Sequence, residues 1–236
     1  MKNAELPFIK DMFNNIAPMY DFLNRLLSLK RDVKWRRKMV ASLDTPHGGA
    51  SFLDVACGTG DVLFEIYRQK GISSKVTGLD FSKNMLDISN DKIRKSAYGK
   101  TSLICGNALT LPFADGEFDG LTIAFGIRNI IDKKTALLEF FRCLKPGGSL
   151  AILELTAPEN VFLHHLYMLY FEKVLPEIGG FFSKNIDAYS YLPQSVLKFP
   201  KNSEFAATIE NSGFEKVCWE QLTLGVCTLF KARKPL

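Results

Sequence analysis

From residue 51 onward, short apolar runs alternate with longer stretches of helical period. The runs 51–55, 75–79, 101–105, 118–125 and 149–155 are bounded by polar or turn-forming residues and read as strands. Between them, 61–69, 82–96 and 133–144 read as helices, the second with Ser82 as its N-cap and the third stopped by Pro146-Gly147-Gly148. Strands and helices alternating at these lengths predict βαβ units on a parallel sheet. Ahead of this stretch, 5–43 reads as helical, with Phe8, Met12, Phe13, Ile16 and Tyr20 at helical spacing and a break at Pro18. After Thr156 the alternation pauses. Residues 157–200 are aromatic-rich without a clear strand, 203–212 read as a helix, and 214–220 and 224–232 as a hairpin-like pair of strands. The pattern divides the chain into an N-terminal helical cap (1–48), a core (49–156), a lid insertion (157–202) and a C-terminal helix and strands that complete the core sheet (203–236).

Composition narrows the class. Apolar residues make up 47% of the chain, enough for a sizeable core, which excludes wholesale disorder. A net charge of +5 is too weak to argue nucleic-acid binding and compatible with contact to phosphate or lipid headgroups. The five cysteines are scattered and form no C-x-x-C pair, which argues against a zinc site or a disulfide framework and fits a reducing cytoplasm. No metal is expected. Neither a signal peptide nor an 18-residue apolar run is visible, so a cytoplasmic protein is expected, with peripheral contact at the inner face of a membrane left open. The basic segment Lys30, Arg31, Lys34, Arg36, Arg37 and Lys38, opposed only by Asp32, reads either as a solvated face or as a contact to anionic headgroups.

Candidate chemistry gathers at the ends of the strands. Asp54-Val55-Ala56-Cys57-Gly58-Thr59-Gly60-Asp61 follows the first strand and opens a helix. In an open parallel sheet, ligands bind at the carboxyl ends of the strands, and glycines there let the backbone approach closely. A dinucleotide loop needs a third glycine where Leu63 stands, so a nucleoside carrying an amino acid, as in S-adenosylmethionine, suits this turn better. Asp80 at the tip of the second strand can accept both ribose hydroxyls, with Phe81 beside it. Asn107 and Ala108 follow the third strand, where an Asn side chain can meet the adenine amino group. The fourth strand ends in Ala124-Phe125-Gly126-Ile127-Arg128-Asn129. These segments have the order and spacing of Class I methyltransferases, an α/β fold with a Rossmann-like, mostly parallel sheet and an antiparallel last strand.

Beyond this common core, the chain strongly resembles the ubiquinone/menaquinone biosynthesis C-methyltransferases. The resemblance is carried by 12–24 with Trp35-Arg36, by 125–129, by 176–179, and by Tyr189-Ser190-Tyr191-Leu192-Pro193-Gln194-Ser195 with Phe199-Pro200. It implies S-adenosylmethionine as cofactor and methyl transfer to a ring carbon of a polyprenylated quinol, with demethylmenaquinol favoured over the benzoquinol of ubiquinone synthesis. It implies Thr59, Asp80, Asn107 and Ala108 as cofactor positions. Asp54, Gly58, Gly60, Phe81 and Ala124 complete the expected wall, Ala124 standing where the family often carries Ser.

A quinol carbon becomes nucleophilic when the neighbouring hydroxyl loses its proton, so the site must accept that proton or stabilise the phenolate. Arg128 is expected to face the phenolate oxygen, positioned by Asn129, with Tyr20 and Asp21 completing a proton path. His164 or His165 is a weaker candidate base. Phe162, Tyr167, Tyr170, Phe171, Phe181, Phe182, Tyr189 and Tyr191 supply a lid for a greasy acceptor. The competing readings are an RNA or protein methyltransferase, a non-catalytic cofactor-binding scaffold and a nicotinamide dehydrogenase. Nothing in the sequence fixes the oligomeric state, and a homodimer is compatible with it.

Overall fold

The computed structural model describes residues 5–45, 49–96, 98, 101–170, 173 and 186–236. The chain begins with α1 (Glu5–Ile16), a 3-10 turn over Ala17–Met19, α2 (Tyr20–Leu27) and α3 (Arg31–Ala41). Pro18 sits at the start of the 3-10 turn, where its missing N–H costs nothing, so the helical stretch breaks where expected. The core follows as β1 (Ser51–Val55), α4 (Asp61–Lys70), β2 (Lys75–Asp80), α5 (Lys83–Arg94), β3 (Thr101–Cys105), β4 (Phe118–Ala124), a 3-10 turn over Ile127–Asn129, α6 (Lys133–Cys143) and β5 (Leu144–Leu155). Ser82 caps α5 by accepting from the Met85 N–H. Beyond β5 come α7 (Val161–Leu169), α8 (Ile186–Leu197), α9 (Asn202–Glu210), β6 (Glu215–Leu222) and β7 (Cys227–Arg233).

The described residues form one seven-stranded sheet in the order β3-β2-β1-β4-β5-β7-β6. β1 to β5 pair in parallel, and β7 runs antiparallel to both β5 and β6. Strand order reverses between β1 and β4, so the loops after these strands splay apart and leave a crevice at their carboxyl ends. Side chains alternate across the sheet. Phe52, Val76 and Leu153 join α3 and α4 in one buried layer through Met39, Val40, Leu63 and Ile66. Leu53, Leu121, Ile123 and Ile152 join α6 and α9 in the other through Leu137, Phe140, Phe205 and Ile209. Gly120 is required by this packing, because a Cβ there would lie 2.8 Å from the Phe52 ring.

Two strand boundaries differ from expectation by three residues or more. β5 begins at Leu144 rather than 149, because Leu144 pairs with Phe118 across a register shift. The last strand begins at Cys227 rather than 224, because Thr223 and Leu224 adopt left-handed backbone angles in a 3-10 turn. Among the described residues, no helix is long and apolar enough to cross a membrane, and no cluster of His, Cys, Asp or Glu could hold a metal.

Candidate active site

The loop after β1 is shaped by backbone angles that favour glycine. Gly60 takes φ +91° to start α4, and a Cβ there would lie 2.5 Å from the Ser89 hydroxyl. Gly58 donates its N–H to Asp80 Oδ2 at 2.8 Å, and Ser82 donates to Asp80 Oδ1 at 2.8 Å. Each Asp80 oxygen therefore keeps a lone pair for a further donor, as two ribose hydroxyls require. Burial pushes the Asp80 carboxyl up, and the backbone donors from Ser82 and Gly58 oppose that shift.

These residues open onto a cavity of about 560 Å³ at the carboxyl ends of the strands. Gly58, Asp80, Phe81, Asn107, Ala108 and Ala124 all line it, so six of the nine expected cofactor positions meet in one place. Asn107 Oδ1 also accepts from the Leu109 N–H at 3.0 Å, which fixes its amide in the turn. Asp54, Thr59 and Gly60 do not line the cavity. Asp54 lies under it on β1, with Oδ1 accepting from the Thr122 hydroxyl at 2.7 Å and Oδ2 buried without a partner. Burial raises the Asp54 carboxyl to about 8. A cofactor bearing two ribose hydroxyls fits this acceptor set, because Asp80 lines the cavity and offers one lone pair on each oxygen.

The N-terminal helices close the cavity. Phe13 packs edge-on against Phe81 and Tyr20, with centroids 6.1 and 6.2 Å away. Asp21, expected in the proton path, lines neither cavity. Its Oδ1 accepts from the Thr59 hydroxyl at 2.5 Å and its Oδ2 pairs with Lys92, so Asp21 and Thr59 tie α2 to the β1 loop.

A second cavity of about 400 Å³ adjoins the first, and Phe13, Tyr20 and Phe125 line both. Its wall is largely aromatic and aliphatic, with Leu23, Leu27, Trp35, Tyr167, Tyr170 and Leu192. Arg128 lines this second cavity, while Asn129 lines the first. Arg128 donates from Nη1 to the Phe125 carbonyl at 2.7 Å and to Glu154 Oε1 at 2.6 Å. Burial alone would lower its pKa, but the charge and hydrogen bond of Glu154, together with Tyr20 and Tyr191, outweigh burial and hold Arg128 above its ordinary value. Burial raises the Tyr20 phenol, against the opposing effects of Asn24, Arg36 and Arg128.

Sequence reasoning missed two features here. Glu154 is fully buried behind Arg128, and the only signal was one charge at the end of an apolar strand. The basic segment 30–38 is not a uniform solvated face. Asp32 and Arg36 are buried; Asp32 binds Arg25, Arg36 and Ser28, and Asp61 at the start of α4 binds Arg25 at 2.6 Å. The i,i+4 spacing of Asp32 and Arg36 was the available clue. Neither His164 nor His165 lines either cavity. Of the expected lid aromatics, Phe171, Phe181, Phe182 and the side chain of Tyr189 lie outside the described residues, as does the side chain of Phe8.

The model of the ubiE/COQ5 methyltransferase family matches residues 1–234. The chain is similar to the ubiquinone/menaquinone biosynthesis C-methyltransferase UbiE of Geotalea daltonii, 46% identical over 227 residues and 96% of each chain. It is similar to the demethylmenaquinone methyltransferase of Anoxybacillus flavithermus, 36% identical over 100% of this chain and 99% of the other. Among solved structures it resembles the cyclase SpnF, with a TM-score of 0.70 at 18% identity over 97% of this chain and 95% of that one. It also resembles a phosphoethanolamine N-methyltransferase of Haemonchus contortus in complex with S-adenosyl-L-methionine, with a TM-score of 0.65 at 15% identity over 86% of this chain and 53% of that one. At such identities the structures speak for the fold alone. The full-length match to the family model and the identity to the curated relatives place this chain in the ubiE/COQ5 methyltransferase family.

Proposed function

We propose that the chain transfers the methyl group of S-adenosylmethionine to a ring carbon of a polyprenylated quinol, converting demethylmenaquinol to menaquinol. The observation that carries this reading is the pair of cavities that share Tyr20 and Phe125. One presents the Asp80 carboxylate as acceptor for the cofactor's ribose hydroxyls. The other is apolar, with a buried cation in its wall, as a greasy acceptor that develops a phenolate demands. The naphthoquinol is favoured because menaquinone is common to the names of both kinds of curated relative.

When bound, S-adenosylmethionine supplies an electrophilic methyl group on a sulfonium. The protein's part is to align a ring carbon with it and to make that carbon nucleophilic. Arg128 keeps its proton beside Glu154, so it serves as a fixed positive charge that lowers the pKa of the quinol hydroxyl, and not as a base. Tyr20 stays a neutral phenol at the junction, able to pass a hydrogen bond between the two cavities. Carbon methylation replaces a ring proton, so each turnover releases one proton to solvent.

The acceptor's tail implies contact with a bilayer. Leu29 and Leu224 are 82% and 72% exposed, each held on a turn with left-handed backbone angles. Leu29 and Thr223, neighbour of Leu224, line the acceptor cavity, and Lys30, Arg31 and Lys34 are exposed beside Leu29. Exposed apolar tips, one of them followed in the chain by exposed cations, suit an anionic membrane surface. Co-sedimentation with anionic vesicles that is lost in a Leu224→Glu, Lys34→Glu variant supports this contact, and binding unchanged by it opposes it.

The test of the reaction is purified protein with methyl-labelled cofactor, offered reduced naphthoquinol and benzoquinol analogues side by side. Preferential labelling of the naphthoquinol is expected. Labelling of the benzoquinol alone would move the acceptor assignment, and labelling of neither would refute the reading.

A further inference from the structure

The segment Tyr189–Ser195 carried part of the family resemblance without a role. In the structure it lies in α8, and two of its hydroxyls reach Arg128 in the acceptor wall and Asn129 beside it in the wall of the cofactor cavity. Tyr191 donates to Asn129 Oδ1 at 3.0 Å, and Arg128 Nε donates to Ser195 Oγ at 3.3 Å. Tyr191 and Ser195 are four residues apart, so they lie on one face of the helix.

The polarity of these bonds has chemical content. Ser195 has one hydroxyl proton, and it goes to the Leu192 carbonyl at 2.8 Å. Its lone pairs are thereby left for Arg128, which can only donate. The Tyr191 hydroxyl donates to Asn129 Oδ1 and so holds the amide with its oxygen toward α8. With Oδ1 turned to Tyr191, the Nδ2 end is left to the remainder of the site, where a phenolate oxygen needs donors. An Asn129 amide turned the other way would present a carbonyl oxygen to a developing negative charge.

We propose that Tyr191 and Ser195 are positioning residues: Tyr191 fixes the amide of Asn129 with its donor end toward the acceptor, and Ser195 fixes the guanidinium of Arg128. The proposal rests on Arg128 and Asn129 as the acceptor-facing pair.

Tyr191→Phe removes one oxygen and keeps the ring. It is expected to lower kcat by about tenfold, through misplaced donors, while the quinol KM changes by less than about twofold and the affinity for S-adenosylmethionine is unchanged. The rising limb of the kcat–pH profile is expected to move to higher pH, because a less stabilised phenolate forms at higher pH. Ser195→Ala is expected to move the same limb in the same direction. A merely structural role would lower the folded fraction without moving that limb.

A double-mutant cycle decides between the routes. In an Asn129→Ala background, adding Tyr191→Phe is expected to leave kcat within about twofold. Equal losses in both backgrounds, or a change confined to the quinol KM, would overturn the role given to Tyr191. Wild-type turnover in Asn129→Ala itself would instead refute the pair on which the proposal rests.

Discussion

Arg128 and Glu154 form an ion pair whose side chains are 8% and 0% exposed, with Nη1 2.6 Å from Oε1. Glu154 also accepts from the backbone N–H of Arg128 at 3.0 Å and of Leu155 at 2.8 Å. Three donors thus fix the carboxylate, and the carboxylate fixes the arginine. Removing one partner of such a pair strands the other charge in the interior, at a cost of about 3–5 kcal/mol.

Glu154→Ala is therefore expected to melt well below the wild type. Glu154→Gln keeps an acceptor for Nη1 but leaves the Arg128 charge uncompensated and one backbone N–H facing an amide NH2, so it is expected to melt below the wild type but above Glu154→Ala, with kcat reduced. Thermal melting and steady-state rates check both. A Glu154→Ala protein that melts like the wild type would contradict the pairing.

Asp21 and Thr59 connect the N-terminal helices to the cofactor loop, with Lys92 as the third member. Asp21 and Lys92 are about one-third exposed, so the link contributes under about 1 kcal/mol to stability. Its larger effect is to hold Phe13 and Tyr20 over the cofactor cavity. Asp21→Ala is expected to weaken S-adenosylmethionine binding about fivefold with little change in melting temperature. Calorimetry showing unchanged affinity would dismiss the clamp.

Much of this was legible in the sequence, for a physical reason. β1 and β4 are buried along most of their length, so they appear as short, largely apolar runs, and Gly58, Asp80 and Asn107 follow the ends of β1, β2 and β3. What could not be read is what depends on contacts distant along the chain. Leu144 joins a strand only because Phe118 is there to pair with it. Arg36 and Asp32 look like surface charges until Arg25 and Asp61 are brought beside them from two other helices. Asp21 looks catalytic beside Tyr20, yet successive helical residues point in different directions, and Thr59 claims it.

Asp54 makes stability depend on pH. Burial raises its carboxyl from 3.8 to about 8, so between these values the folded protein holds a proton that the unfolded chain lacks. Its contribution is complete below about pH 4 and is lost as pH rises to about 8. Asp54→Asn cannot ionise and is expected to lose less stability over that interval. Denaturant titrations at pH 5 and pH 8 measure the difference; identical slopes in variant and wild type would contradict the burial of this group.

Gly126 lies where the loop after β4 touches the loop after β1. A Cβ there would sit 2.6 Å from Ala56 Cβ and 3.2 Å from Ile123 Cγ1. Gly126→Ala must push these loops apart, costing about 1–3 kcal/mol and weakening cofactor binding as well as lowering the melting temperature. Wild-type affinity in that variant would show that the loops can separate without disturbing the cavity.

A single-turnover experiment tests the central claim most directly: protein preloaded with methyl-labelled S-adenosylmethionine is mixed with reduced demethylmenaquinol or with its oxidised form. The account predicts label on a ring carbon of the reduced acceptor, about one equivalent per bound cofactor, and none on the oxidised form, which has no hydroxyl to ionise. Label on a hydroxyl oxygen, or equal labelling of both redox forms, would contradict it.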